Sequence, residues 1–217
     1  MTPPRHHLSR GEFIVFEGID GVGKTTQVDL LAQRLQQAGY EVVCLKEPTE
    51  GVWGQKLRQL AREGRHTVAP ATELAWFLED RREDVTQNIQ PALARGQIVL
   101  LDRYYFSTMA YQGALHFDPE DIRRRNEAFA PPPDLLLLLE IPVTQSLARV
   151  QQRGVPSAFE RRDYLERVAS AFAAMQFPYL RRIDAAGPVQ EVHCQIWQAV
   201  HALLTMGPEA APEDTVS

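Results

Sequence analysis

The stretch Phe13-Ile14-Val15-Phe16-Glu17-Gly18-Ile19-Asp20-Gly21-Val22-Gly23-Lys24-Thr25-Thr26-Gln27 constrains this chain more than any other. An apolar run of strand length meets spaced glycines, then a Lys-Thr pair that opens a helical segment, which matches the G-x-x-x-x-G-K-T phosphate-binding loop. Gly18, Gly21 and Gly23 carry no Cβ, so the backbone can take positive φ and turn its N–H groups onto phosphate oxygens. Lys24 adds a full positive charge for the β- and γ-phosphates, and the Thr25 hydroxyl suits Mg²⁺. The helix that begins there points its positive dipole end at the same anion. A glycine-rich turn with no ligand is the bland alternative. At average residue usage the four fixed positions arise by chance in a chain this long on the order of 1% of the time or less.

The 217 residues suit one α/β domain with a full-sized core. With 28 acidic residues against 23 Lys and Arg the net charge is −5, so no overall basic field recruits nucleic acid or an anionic membrane. Phosphate binding must therefore be local. Cys44 and Cys194 are too few for a disulfide framework or a zinc site and read as buried small apolar residues, in a reducing compartment. No apolar run reaches the roughly 18 residues of a membrane span, and residues 1–10 lack a signal core, so the expected location is cytoplasmic.

Residues 1–10 and 207–217 read as flexible tails around a domain over 11–206. Helix patterns follow at about 25–38, through Leu57 and Leu60, over 70–95, at 107–113 and 119–130, from 143 to 153, over 163–179, and from Pro188 through Leu204. Strands are expected at 41–46, 97–102, 134–141 and, briefly, at Ile183-Asp184. With the strand before the phosphate loop this gives an α/β, five-stranded parallel sheet with helices on both faces, the P-loop NTPase fold. Its loop lies at the carboxyl edge of the strands.

Three clusters at that edge narrow the chemistry. Asp102-Arg103-Tyr104 ends an apolar strand, where an acid can hold Mg²⁺ and the arginine can clamp a phosphate oxygen. Phe77 and Arg81 lie one helical turn apart and suit a flat base, although spacing alone favours a core Phe77 and a solvated Arg81. Arg149, Arg153, Arg161 and Arg162 surround Gly154, the makings of a lid over about 149–162 that supplies positive charge to a transferring phosphoryl group.

Together the loop, Glu47-Pro48, Phe77 with Arg81, and Asp102-Arg103-Tyr104-Tyr105-Phe106-Ser107-Thr108-Met109-Ala110-Tyr111-Gln112-Gly113 resemble bacterial thymidylate kinases, from about Glu12 to Leu204. The resemblance implies transfer of the ATP γ-phosphoryl group to dTMP with Mg²⁺, by a homodimer packed through helices. Carried over by position, Gly18 to Thr26 bind ATP, while Thr25 and Asp102 attend the metal. Phe77 stacks on thymine, Arg81 and Ser107 bond its edge, and Arg103 holds the dTMP phosphate. Tyr111 sits against the sugar, Asp20 faces the 3′-hydroxyl, and Glu47, Pro48 and Gln112 complete the acceptor pocket. Catalysis then falls to Lys24, Arg103, Asp20 and a lid arginine.

Two segments depart from the family pattern. Where members usually read Arg-Glu-Pro-Gly-Gly, this chain has Lys46-Glu47-Pro48-Thr49-Glu50-Gly51. Where members without a loop arginine carry Arg-Gly-Glu-Leu-Asp-Arg-Phe-Glu, it has Arg153-Gly154-Val155-Pro156-Ser157-Ala158-Phe159-Glu160. Arg153 is the first candidate to replace the missing lid arginine, with Arg149 and Arg161 behind it. A related kinase with another deoxynucleotide acceptor, and a nucleotide-gated module that transfers nothing, are the competing readings.

Overall fold

Phe13–Glu17 form strand β1, and all five residues are buried. A strand hidden on both faces needs neighbours on both edges and helices above and below. The computed structural model, which describes residues 6, 8–64, 67–151 and 162–206, supplies them. Strands β2 (Val42–Lys46), β3 (Ile98–Asp102), β4 (Leu135–Glu140) and β5 (Leu180–Asp184) join β1 in one parallel sheet of order β2-β3-β1-β4-β5. Ile14 is paired with Leu100 on one side and Leu135 on the other. The leucines of β4 and all of β3 are buried as well, as expected of runs without polar alternation.

Helix α1 (Lys24–Gln37) follows the phosphate loop directly and buries Val28, Leu31, Ala32 and Leu35, the stripe expected from the sequence. Helix α2 (Val52–Glu63) packs on α3 (Pro70–Asp84). The helical pattern over 70–95 continues through a π turn at Val85–Ile89 into α4 (Gln90–Ala94). Pro91 has no N–H for the carbonyl four residues back, and its ring crowds that carbonyl. The preceding turn widens, so that the Gln90 N–H reaches the Val85 carbonyl, five residues back.

The remaining helices are α5 (Tyr105–Gly113), α6 (Pro119–Glu127), α7 (Val143–Gln151), α8 (Arg162–Ala174) and α9 (Val189–Met206). Helix α8 ends earlier than its apolar pattern suggests, and β5 is longer than the two residues expected. Pro178 disfavours helical backbone at Phe177, and the chain turns instead to pair Leu180–Asp184 with Leu136–Glu140.

One further expectation is corrected. Cys44 and Cys194 are exposed rather than buried. Cys44 lies in β2, an edge strand, and Cys194 is two residues beyond buried Val192, on the outward side of α9. Two described residues of the expected N-terminal tail contact the domain. The His6 N–H donates to the Gly39 carbonyl, its ring stacks on Tyr40 at 4.7 Å, and Arg10 pairs with Asp134 at 2.5 Å. Residues 207–217 and most of the expected lid, including Arg153, Ser157, Ala158 and Arg161, lie outside the described residues.

Each strand of the sheet ends on a polar residue: Glu17, Lys46, Asp102, Glu140 and Asp184. The chemistry therefore gathers at the carboxyl edge, above an apolar sheet. Leu137→Ala, at a fully buried position of β4, is expected to lower unfolding free energy by about 3 kcal/mol in urea titration, with the denaturant slope unchanged.

Candidate active site

Burial of β1 fixes where the phosphate loop starts, and Ile19 and Val22, both buried, fix its path by packing into the core. Gly18 has φ of 134°, and a Cβ there would come within 2.4 Å of the Leu139 carbonyl oxygen. At Gly21, φ is 76° and a Cβ would meet the Ser146 carbonyl oxygen at 2.8 Å. The loop is thus pressed against β4 and α7 where no side chain fits. Ser146 of α7 also donates its hydroxyl to the Asp20 carbonyl, a brace with no signal in the sequence beyond a lone serine on an otherwise ordinary helix. Gly23, at φ 105°, caps α1, so that Lys24 is the first helical residue.

Lys24 is buried and donates to the Gly18 and Ile19 carbonyl oxygens at 2.7 and 3.0 Å. Burial lowers its pKa, and nearby Arg103 lowers it further, against the pull of Asp20, Asp102 and Glu17; the result is about 8. The ammonium is charged at neutral pH, but with little margin.

Asp102, at the tip of β3, accepts a 2.5 Å hydrogen bond from Thr25 Oγ1 through Oδ2. Lys46 Nζ stands 3.4 Å from both oxygens of that contact. Asp102 Oδ1 is buried without a partner. Burial alone would raise the Asp102 pKa, yet Lys24 and Arg103 outweigh it and hold the group below the ordinary value. A hydroxyl beside an ionised carboxylate with a free oxygen fits Mg²⁺, which takes few protein ligands and fills its octahedron with phosphate oxygens and water. Among the described residues no group of three or more His, Cys, Asp or Glu side chains could hold a metal.

Arg103 adopts φ of 76°, in the left-handed region that a non-glycine residue rarely enters. Its guanidinium donates to Asp20 Oδ1 and, at 3.0 Å, to Ser107 Oγ. Tyr111 donates its hydroxyl to Asp20 Oδ2 at 3.0 Å. Burial favours protonated Asp20, but Arg103 and Lys24 overcome this and lower its pKa; Arg103 is raised by Asp20 despite burial. Asp20, Arg103 and Tyr111 thus form one ionised, hydrogen-bonded unit at the loop.

A cavity of about 740 Å³ connects this unit with the carboxyl end of β2. Its walls include Asp20, Gly21, Gly23, Lys24, Thr25 and Thr26 on one side and Lys46, Glu47, Pro48, Thr49 and Glu50 on the other, with Asp102 and Arg103 between. Arg58, Asp84 and Asn88 also line it and were not singled out from the sequence. Arg58 donates to the Pro48 carbonyl at 2.8 Å and to Glu50 at 2.7 Å, holding the loop after β2 while facing the cavity. Nothing in its place between Leu57 and Leu60 marks it as different from a solvated helix residue.

Arg81 stands behind Glu47, not on the cavity wall. It is 1% exposed, and its Nε and Nη2 donate to Glu47 Oε2 at 2.9 and 2.5 Å, while Nη1 donates to Asn126 at 2.6 Å. Burial pushes the Glu47 carboxyl up, to about 8, against the pull of Arg81, with Asp84 and Asp80 adding to the rise. The adjacent Asp80 accepts from the Thr49 N–H and hydroxyl at 2.9 and 2.6 Å, so two consecutive residues of α3 anchor the loop after β2. Phe77 is half-buried and is not part of the cavity wall. Ser107 and Tyr111 lie one layer deeper, and Gln112 is buried with neither end of its amide hydrogen-bonded. A buried amide left unmatched in this way is chemistry suited to a ligand. Of the lid arginines, Arg149 reaches the Val22 and Ala185 carbonyl oxygens at 3.5 and 3.4 Å, whereas Arg162 pairs with exposed Glu166.

A phosphate loop, a carboxylate at the next strand's tip and an arginine beside it, all opening on one cavity, define a P-loop phosphotransferase. Residues 16–196 match the family model for thymidylate kinase. The thymidylate kinase of Desulfotalea psychrophila is 48% identical over 198 residues, covering 90% of this chain and 97% of that protein. That of Akkermansia muciniphila is 49% identical over 191 residues, 88% and 92% of the two chains, and that of Xanthomonas campestris pv. campestris 49% over 195, 89% and 85%. The chain belongs to the thymidylate kinase family.

Lys24 gives the site a defined pH response. Its ammonium is lost as pH rises through about 8, and a bound triphosphate favours the charged form, so binding above that pH takes up a proton. Calorimetric titration with ATP is expected to show affinity falling by up to about tenfold from pH 7 to pH 9, and Lys24→Met should remove that slope. Arg81→Met, which strips the buried Glu47 of its partner, is expected to cost about 3 kcal/mol in urea unfolding.

Proposed function

We propose that this enzyme transfers the γ-phosphoryl group of ATP to dTMP, giving dTDP and ADP. The observation that carries the reading is the single cavity in which the triphosphate loop and Arg103 face the Glu47–Glu50 segment. A donor phosphate on the loop and an acceptor phosphate near Arg103 and Arg58 share that space. Transfer then needs positioning and charge neutralisation rather than a covalent intermediate.

In this scheme the backbone of Gly18 to Thr26 and Lys24 hold the donor phosphates. Thr25 and Asp102 would hold Mg²⁺, which when bound would neutralise charge on the donor phosphates. Arg103, fixed by Asp20 and Ser107, orients the acceptor phosphate, and Tyr111 with Asp20 marks the sugar end. Glu47, Pro48 and Gln112 belong to the acceptor pocket, with Phe77 and Arg81 supporting the base end from α3. Arg149 is the described lid-region arginine nearest the loop, and Arg153 remains the candidate to supply transition-state charge. No described helix is long and apolar enough to cross a membrane. A cytoplasmic homodimer is part of the same proposal, resting on the family resemblance and the free, exposed cysteines.

The test is a coupled ADP-release assay with ATP, Mg²⁺ and each nucleoside monophosphate in turn. Turnover should be strongest with dTMP and fall by about a thousandfold in Lys24→Ala. Preference for another monophosphate would reassign the acceptor, and ADP release that ignores every acceptor would contradict the reading.

A further inference from the structure

Glu17 ends β1 fully buried, with a carboxylate surrounded by donors. Its Oε1 accepts from the Tyr104 N–H at 2.8 Å and the Ser107 N–H at 2.9 Å, and its Oε2 from the Ser107 hydroxyl at 2.6 Å. These N–H groups belong to the first turn of α5, whose N-cap residue, Tyr104, makes no side-chain cap of its own. An acid on a different element thus caps the helix. Burial pushes the Glu17 carboxyl up, while Arg103, Ser107, the Tyr104 N–H and Lys24 pull it down.

The same contacts determine the direction of one proton. A serine hydroxyl has a single O–H and accepts through its lone pairs. With the O–H committed to Glu17 Oε2, the lone pairs of Ser107 Oγ are presented to Arg103 Nη1, which donates at 3.0 Å. Arg103 itself is gripped from below, its N–H donating to the Phe16 carbonyl at 3.0 Å, while its backbone stays left-handed. The last two residues of β1 therefore hold both the backbone and, through Ser107, the guanidinium of Arg103.

We propose that Glu17 is a positioning residue for phosphoryl transfer, aligning Arg103 on the acceptor phosphate by fixing the orientation of the Ser107 hydroxyl. This rests on the reading that Arg103 meets the acceptor phosphate. Glu17→Gln preserves shape and can keep both backbone contacts through its carbonyl oxygen. Its NH₂ then donates to Ser107 Oγ instead of accepting from it, so the hydroxyl proton loses the acceptor that fixed its direction and the lone pairs are no longer held toward Arg103. Ser107→Ala removes the relay but leaves the carboxylate on the helix N-terminus.

Steady-state kinetics of the full chain, Glu17→Gln, Ser107→Ala and the double variant provide the test, with KM for dTMP and for ATP measured separately. Each single variant is expected to raise KM for dTMP by about tenfold, the loss of one hydrogen bond to a charged group, while KM for ATP moves by less than about twofold. The double variant should be no worse than the worse single one, because both changes break the same relay. An unchanged KM for dTMP in Ser107→Ala, fully additive effects, or an equal rise in both KM values would overturn the proposal. Should Glu17→Gln fail to fold in urea titration, Glu17→Asp, which keeps the charge but draws the carboxylate back from the Ser107 hydroxyl, takes its place in the comparison. Wild-type turnover is measured first: its absence with dTMP contradicts the function reading, whereas normal turnover with unmoved variants contradicts only the role of Glu17.

Discussion

The burial of β1 is the constraint on which everything else depends. Paired on both edges and covered on both faces, Phe13 to Glu17 have one position available, and so does whatever leaves their carboxyl end. Gly18 follows at once, against the Leu139 carbonyl, and α1 begins six residues later. Between these two fixed points the chain can only form a tight loop, and Ile19 and Val22 pin it to the core. The anion site is therefore part of the hydrophobic core's geometry, with little freedom of its own. Such a site is already organised before a phosphate arrives, and a rigid loop loses less entropy on binding than a mobile one.

The second principle is charge pairing where water is scarce. Lys24, Arg103, Asp20, Asp102 and Glu17 crowd the carboxyl edge of a sheet that is otherwise apolar. A buried charge without a partner would be costly. Here each has opposite neighbours: Arg103 lies between Asp20 and the Ser107–Glu17 relay, Asp102 receives Thr25 and Lys46, and Lys24 rests on loop carbonyls. This solves a problem posed by composition. A chain with net charge −5 nonetheless brings Lys24, Lys46, Arg58 and Arg103 together on one cavity, a local positive field within an acidic whole. Burial, with Arg103 beside it, lowers Lys24 to about 8 despite its acidic neighbours, so the lysine of the phosphate loop is sensitive to alkaline pH.

Most of the architecture was legible because apolar periodicity and turn chemistry reported it directly. The strands through Phe13, Ile98 and Leu135 were continuous apolar runs, and the phosphate loop announced itself by glycine spacing. Errors came where one residue outweighed a pattern, as with Pro91 forcing a π turn and Pro178 ending α8 early. The exposure of Cys44 and Cys194 depends on strand order and helix face, which composition does not contain. At the site, Lys24, Thr25, Asp102 and Arg103 were readable from motif position. Arg58, Asp80, Ser146 and Glu17 were not, since each acts through a contact with residues distant in sequence: Ser146 is 126 residues from the carbonyl it holds, and Glu17 is 90 from the serine it orients. Phe77 and Arg81 were correctly seen as neighbours on one helix, but only three-dimensional packing reveals that Arg81 is engaged by Glu47 and Asn126.

The central claim is that donor and acceptor phosphates meet in one cavity over Lys24 and Arg103. A ligand joining adenosine and thymidine through a five-phosphate bridge would test it most directly, by calorimetry against ATP and dTMP alone. If the two subsites adjoin as described, the bridged ligand occupies both without a second loss of translational freedom and binds at least about a hundredfold tighter than either nucleotide. An affinity no better than that of ATP would mean that the acceptor does not lie beside the loop, and would contradict the account.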